Sequence, residues 1–148
     1  MRAEEKYMRM ALDEAEAALS EGETPVGAVI VRGDEIVARA HNRVEAEGDA
    51  RFHAELAALS EAAKKLCTRY LDDCVLYVTM EPCPMCAGAM LNYRIGAAIF
   101  GAFDTVCGAL GSRCDLGNGE YGRGFPAFGG MLEEECAEIL KKFFKDKR

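Results

Sequence analysis

The chain has 148 residues and a mass of 16.1 kDa; half of its residues are hydrophobic and 29% are charged. That is enough chain to bury a core without disulfide staples, and too apolar a composition for a disordered or fibrous protein, so a single domain over residues 1–148 is expected. The net charge of −7 argues against a polyanion bound across the whole surface, and no apolar run reaches the ~20 residues needed to cross a bilayer.

The first residues, Met1 to Lys6, are charged and lack the apolar core and cleavage site of a signal peptide, so a cytoplasmic location is expected. Tyr7, Met8, Ala11, Leu12, Ala15, Ala18 and Leu19 recur every three or four residues and predict an amphipathic helix over 2–21, ended by Gly22. Val26 to Val31 and Ile36 to Ala40 are strand-like runs around an Arg32-Gly33-Asp34 turn, which together predict a hairpin. After the polar stretch Glu45 to Arg51, residues His53 to Leu66 are rich in Ala and Leu and predict a second helix. Val75 to Thr79 reads as a buried strand, Glu81-Pro82 as a break, and Cys83 to Asn92 as a helix. Proline is tolerated at a helix start, so Pro82 and Pro84 put Cys83 and Cys86 in a first turn.

A further strand is predicted at Ala97 to Ala102 and a final amphipathic helix at Met131 to Lys145. Between them, Gly108 to Gly130 holds eight of the fifteen glycines and predicts a long irregular loop of the functional or mobile kind. Residues Lys141 to Arg148 carry a net charge of +4, which suits either a phosphate backbone or the C-terminal end of a helix dipole. Helices alternating with short strands after a hairpin predict an α/β sandwich with a mixed sheet.

Of the seven cysteines, Cys83 and Cys86 have close metal-ligand spacing; Cys67, Cys74, Cys107, Cys114 and Cys136 are expected to be buried as small apolar residues. His53-Ala54-Glu55 opens one predicted helix and Pro82-Cys83-Pro84-Met85-Cys86 opens another. One imidazole and two thiolates suit zinc, and three protein ligands leave a fourth tetrahedral position for water, which is the form of a catalytic site. Glu55 is not needed for coordination and is expected to be the general base that shuttles protons. Taken alone, Cys-x-x-Cys also fits a redox pair or structural zinc. His41 stands at a strand end and is not expected to be a ligand, because the site is filled without it. Glu81 fits either support of the cysteine turn or contact with the leaving amine.

His-x-Glu followed thirty positions later by Pro-Cys-x-x-Cys is the established pattern of zinc nucleobase deaminases, matched here rather than derived. Pro25 to Val29, His41-Asn42-Arg43, Asp49, His53-Ala54-Glu55, Leu76 to Met90, Phe100-Gly101-Ala102 with Asp104, Glu134-Glu135-Cys136 and Phe143-Phe144 resemble the bacterial tRNA-specific adenosine deaminases. That resemblance implies the cytidine-deaminase-like three-layer α/β/α sandwich, a homodimer, and one Zn²⁺ per chain on His53, Cys83 and Cys86. It further implies substrate contacts by Asn42 to the purine, by the Ala54 backbone N–H to the base and by Asp104 to the sugar, with Pro82 beside them. Three positions depart from the family pattern: Val106 replaces a common lysine, Gly122-Arg123-Gly124 replaces an Asn-His pair, and Phe52 replaces a small residue. Two substrates therefore stay open, the tRNA anticodon loop and a free nucleobase or nucleoside such as guanine or cytosine. A noncatalytic zinc-binding module is the third reading, and the presence of Glu55 speaks against it.

Overall fold

The computed structural model describes residues 3–147. The elements run α1 (Glu5–Ser20), β1 (Gly27–Arg32), β2 (Glu35–His41), α2 (Val44–Glu47), α3 (Ala54–Leu66), β3 (Val75–Met80), α4 (Pro84–Asn92), β4 (Ala97–Ala102), β5 (Ala127–Phe128) and α5 (Glu133–Asp146). One five-stranded sheet has the order β2-β1-β3-β4-β5. β1 pairs antiparallel with β2 and β3, whereas β3–β4 and β4–β5 are parallel. The sheet is therefore mixed.

Side chains alternate between sheet faces, and each face has its own core. Ala28 and Ile30 of β1, Leu76 and Val78 of β3 and Ala98 and Phe100 of β4 pack with α3 and α4 through Ala58, Leu59, Ala87 and Met90. Val29 and Val31, Tyr77 and Ile99 face the other way and pack with Met8 and Ala11 of α1 and Cys136 and Leu140 of α5. Helices on both faces make the three-layer α/β/α sandwich that the family resemblance implies. A parallel β3-α4-β4 unit sends both β3 and β4 in one direction, and the loops after β3 and β4 meet above the sheet's carboxyl end.

Two elements are absent from the sequence expectation. α2 lies within the stretch read as polar loop, and β5 lies inside the glycine-rich segment, where Leu110 and Asp115 also form an isolated bridge. Both are too short to show a period. The cysteine expectation holds for Cys74 and Cys136, which are buried and whose thiols burial pushes up to about 12. It is corrected for Cys67, Cys107 and Cys114, which are exposed: Cys67 ends α3 in a left-handed turn with φ of 54°, Cys107 immediately precedes the glycine-rich loop, and Cys114 lies on its surface. Among the described residues no helix is long and apolar enough to cross a membrane.

Gly27 permits a close approach, since a Cβ there would run into the Ala11 carbonyl of α1. Its N–H donates to the buried Thr79 hydroxyl at 3.1 Å, tying β1 to β3. Overpacking against backbone is expected to cost Gly27→Ala about 1–3 kcal/mol of stability, measured by denaturant unfolding.

His41 lies outside the metal-ligand cluster found among the described residues. Its Nδ1 is 2.8 Å from Glu14 and its Nε2 is 3.1 Å from Glu21, and Arg39 shares Glu14 at 3.2 Å. Burial works against the imidazolium, but the two carboxylates win and raise its pKa from the ordinary 6.5. A folded pKa above the unfolded one gives stability that is complete below the unfolded value and is lost as pH rises through the folded value. Proton NMR is expected to show His41 titrating above 6.5. Between about pH 6 and pH 8 the wild-type chain should lose more thermal stability than His41→Gln; equal losses would contradict the pairing.

Candidate active site

The site is built from two helix starts. His53 is the residue that precedes α3 and Cys83 the residue that precedes α4; both are extended, with ψ of 151° and 172°. Pro84 begins α4 with its missing N–H at no cost, which leaves Cys86 in the first turn. Neither His53 nor Cys83 makes a side-chain cap to its own helix; their side chains turn toward each other instead.

His53 Nδ1 lies 3.6 Å from Cys83 Sγ and 3.5 Å from Cys86 Sγ. Tetrahedral zinc with bonds of about 2.3 Å to sulfur and 2.0–2.1 Å to nitrogen separates those ligand atoms by about 3.6 Å. The three ligand atoms all lie within 4.8 Å of one another and are the only such cluster among the described residues. The donors and their spacing thus fit zinc. A hydrogen bond from Cys86, helped by His53, holds the Cys83 thiol down at about 4. The shared proton pushes Cys86 up, and the bond to Cys83 raises His53. Protons crowded between two sulfurs and an imidazole are what a divalent cation replaces.

Glu55 is in the first turn of α3 and 4% exposed. Burial pushes its carboxyl up to about 7. It lines a cavity of about 730 Å³ with His53, Ala54, Cys83, Asn42 and Asp104. Asn42 is buried, and its Oδ1 has no hydrogen-bond partner among the described residues. Ala54 is the first residue of α3, so its N–H has no acceptor within the helix. Asp104 Oδ1 accepts the N–H groups of Val106 and Cys107, so this acid both builds a turn and borders the cavity. Pro82 is buried; its carbonyl accepts the Ala109 N–H, and it is not among the cavity's lining residues.

Glu81 does not reach the metal ligands. Its carboxylate accepts N–H groups from Asp104, Leu110 and Ser112 and the Ser112 hydroxyl. Burial works against its charge, but these bonds prevail and hold the carboxyl below the usual range. The cavity also has walls that the motifs do not announce: Glu23 and Val44, and Phe143 and Lys147 from the end of α5. Of these, Lys147 had a signal in the basic tail and Phe143 in the Phe143-Phe144 stretch of the resemblance. Glu23 stands alone in a turn, and its role depends on a contact with residues 22 positions away.

Comparison with known proteins agrees with this geometry. The family described as the cytidine and deoxycytidylate deaminase zinc-binding region matches residues 1–102. The tRNA-specific adenosine deaminase of Bacillus subtilis is 44% identical over 149 residues, covering all of this chain and 92% of the relative. A solved structure from work on A-to-I editing by tRNA deaminases at the wobble position superposes with a TM-score of 0.88 at 37% identity, covering 93% of this chain and all of the other. A guanine deaminase structure from Bacillus subtilis matches with a TM-score of 0.67 at 38% identity, over 70% of this chain and 67% of the other. The match extends well past half of the chain and includes every proposed metal ligand, and the chain belongs to the cytidine and deoxycytidylate deaminase family of zinc-binding proteins.

Proposed function

We propose that the protein hydrolyses the exocyclic amine of adenosine at the wobble position of tRNA, with His53, Cys83 and Cys86 holding zinc and Glu55 moving protons. The observation that carries the chemistry is a buried carboxyl, Glu55, lining the same cavity as His53 and Cys83 of the zinc-spaced triad. Full-length similarity to tRNA-specific adenosine deaminases supports the substrate.

Bound zinc supplies Lewis acidity that makes hydroxide available near neutral pH. Glu55 takes the proton released from the attacking water and gives it to the ring nitrogen of the base. The water oxygen bonds to the amine-bearing ring carbon; the proton left on that oxygen then passes through the same carboxylate to the amine, the carbon–nitrogen bond breaks as the carbonyl forms, and the products are inosine and ammonia. Asn42, with its buried acceptor unpaired, reads the base; the Ala54 N–H orients it; Asp104 meets the sugar. Pro82 acts at one remove, through the loop carbonyl contact with Ala109. The working unit is a homodimer of single-domain chains in the cytoplasm, and sedimentation of the zinc-loaded protein tests the dimer.

The second reading is a deaminase of free bases or nucleosides. Val106 favours it: this 76% exposed apolar residue follows Asp104 at the cavity's edge, where a cation would assist phosphate binding. Ammonia release and inosine formation should be followed with tRNA, free guanine and free cytosine. Inosine in tRNA supports the first reading; turnover of a free base with no inosine overturns it.

Glu55→Gln should retain zinc and fold while turnover drops by about 10²–10⁴-fold, the usual contribution of a positioned acid–base group. Unchanged ammonia release would remove Glu55 from the mechanism. Replacing His53 or Cys86 by Ala should reduce bound zinc, read by elemental analysis, and lower thermal stability together with activity. For Asn42→Ala, kcat/KM should drop by roughly 10–100-fold, the worth of a buried hydrogen bond, with zinc content intact.

A further inference from the structure

Two buried acids outside the metal set each hold one wall of the cavity. Glu23, 1% exposed, extends from the turn after α1 and accepts the N–H groups of Glu45 at 2.9 Å and Ala46 at 2.7 Å. These are donors of the first turn of α2, a helix with no side-chain cap from its own preceding residue. Glu23 therefore caps α2 from elsewhere in the chain. α2 follows directly on Asn42, and Asn42, Val44 and Glu45 all face the cavity.

On the other side, Glu81 accepts the Asp104 N–H at 3.1 Å and the Leu110 and Ser112 N–H groups at 3.0 Å each. A Cβ on Gly108 would run into the Glu81 carboxylate, so the loop is closed onto that group with no space between. Each wall thus bears one of the proposed substrate contacts, Asn42 on one and Asp104 on the other. Each is fixed by a carboxylate that makes no hydrogen bond to His53, Cys83, Cys86 or Glu55 among the described residues. Charge-assisted bonds to backbone N–H groups are strong and directional, and they fix main chain rather than a side-chain tip.

We propose that Glu23 and Glu81 are positioning residues for substrate recognition, which set the spacing of Asn42 and Asp104 across the cavity. An acceptor such as Asn42 Oδ1, buried and unpartnered, stays aimed at a ligand only if its backbone is prevented from relaxing toward another donor. Glu23 supplies that restraint. Removal of either carboxylate loosens a wall and weakens binding, while the zinc ligands and Glu55, borne by α3 and α4, keep their places.

The inference rests on the deaminase reading of this cavity. Zinc-loaded full-length wild type, Glu23→Gln, Glu81→Gln and Ser112→Ala are assayed at steady state on an anticodon stem-loop RNA and on free guanine. On the substrate that is turned over, KM should rise about 10-fold for the two Glu variants and about 3-fold for Ser112→Ala, with kcat altered less than about 3-fold. Zinc should remain near one per chain. A merely structural role would lower the melting temperature without that split between KM and kcat. If Glu81→Gln does not fold, Ser112→Ala tests the same wall, since it deletes a single donor to Glu81 from an exposed residue. Wild-type KM in both Glu23→Gln and Ser112→Ala overturns the proposal, as does loss of kcat accompanied by loss of zinc. A wild-type enzyme inactive on both substrates overturns the deaminase reading and this inference with it; an active wild type with unaltered variants overturns the inference alone.

Discussion

The contact on which the site depends is the meeting of two helix starts, where one imidazole nitrogen stands 3.5–3.6 Å from two sulfurs. Without a cation the three atoms share protons through hydrogen bonds, and a divalent cation would take the place of those protons. The fold secures this meeting by topology. β3 and β4 are parallel, α4 crosses between them, and α3 lies beside α4 on the same face of the sheet. Both N-termini then open toward the carboxyl end of the sheet, where their dipoles favour thiolate and carboxylate.

The chemistry was largely legible from residue order because its groups lie beside strong local signals. Pro84 marks the start of α4, and Cys86 follows within the same turn; His53 and Glu55 straddle the first residue of α3. Periodicity located α1, α3 and α5 to within a few residues, and continuous apolar or β-branched runs located the three central strands. The cavity walls were less legible for a physical reason: they are held by contacts between distant segments. α2 has four residues and takes its cap from Glu23, while the glycine-rich loop takes its shape from Glu81. No pattern within either segment encodes that. Glu81 organises residues 104–112 through bonds to donors 23 to 31 positions away, which no local pattern announces. The exposed Cys67, Cys107 and Cys114 show a similar limit, since cysteine's usual burial is a statistical preference that loop geometry overrides.

The two faces of the sheet divide labour. The face bearing α3 and α4 carries the metal ligands and Glu55, and the face bearing α1 and α5 is a second core that ends near the cavity, where Phe143 and Lys147 of the last helix and its end join the lining. On the proposed reading, substrate specificity and catalysis are built on different parts: the reacting groups on helix starts, the selecting groups on the loops and on a helix end. Relatives with closely similar folds include both tRNA-editing and guanine-deaminating enzymes, as expected where loops change and the reactive constellation is kept.

His53 and Cys83 occupy the positions where Ser, Asp or Asn would ordinarily tie down the first amide groups of a helix, and neither does so. The first turns of α3 and α4 therefore lack the usual fastening, and the ion that joins their side chains is the fastening that replaces it. Folding of this corner and metal supply become one equilibrium. A cell starved of zinc would hold chains that are complete in both cores yet frayed at the place where chemistry occurs, and replenishment would restore them without new synthesis.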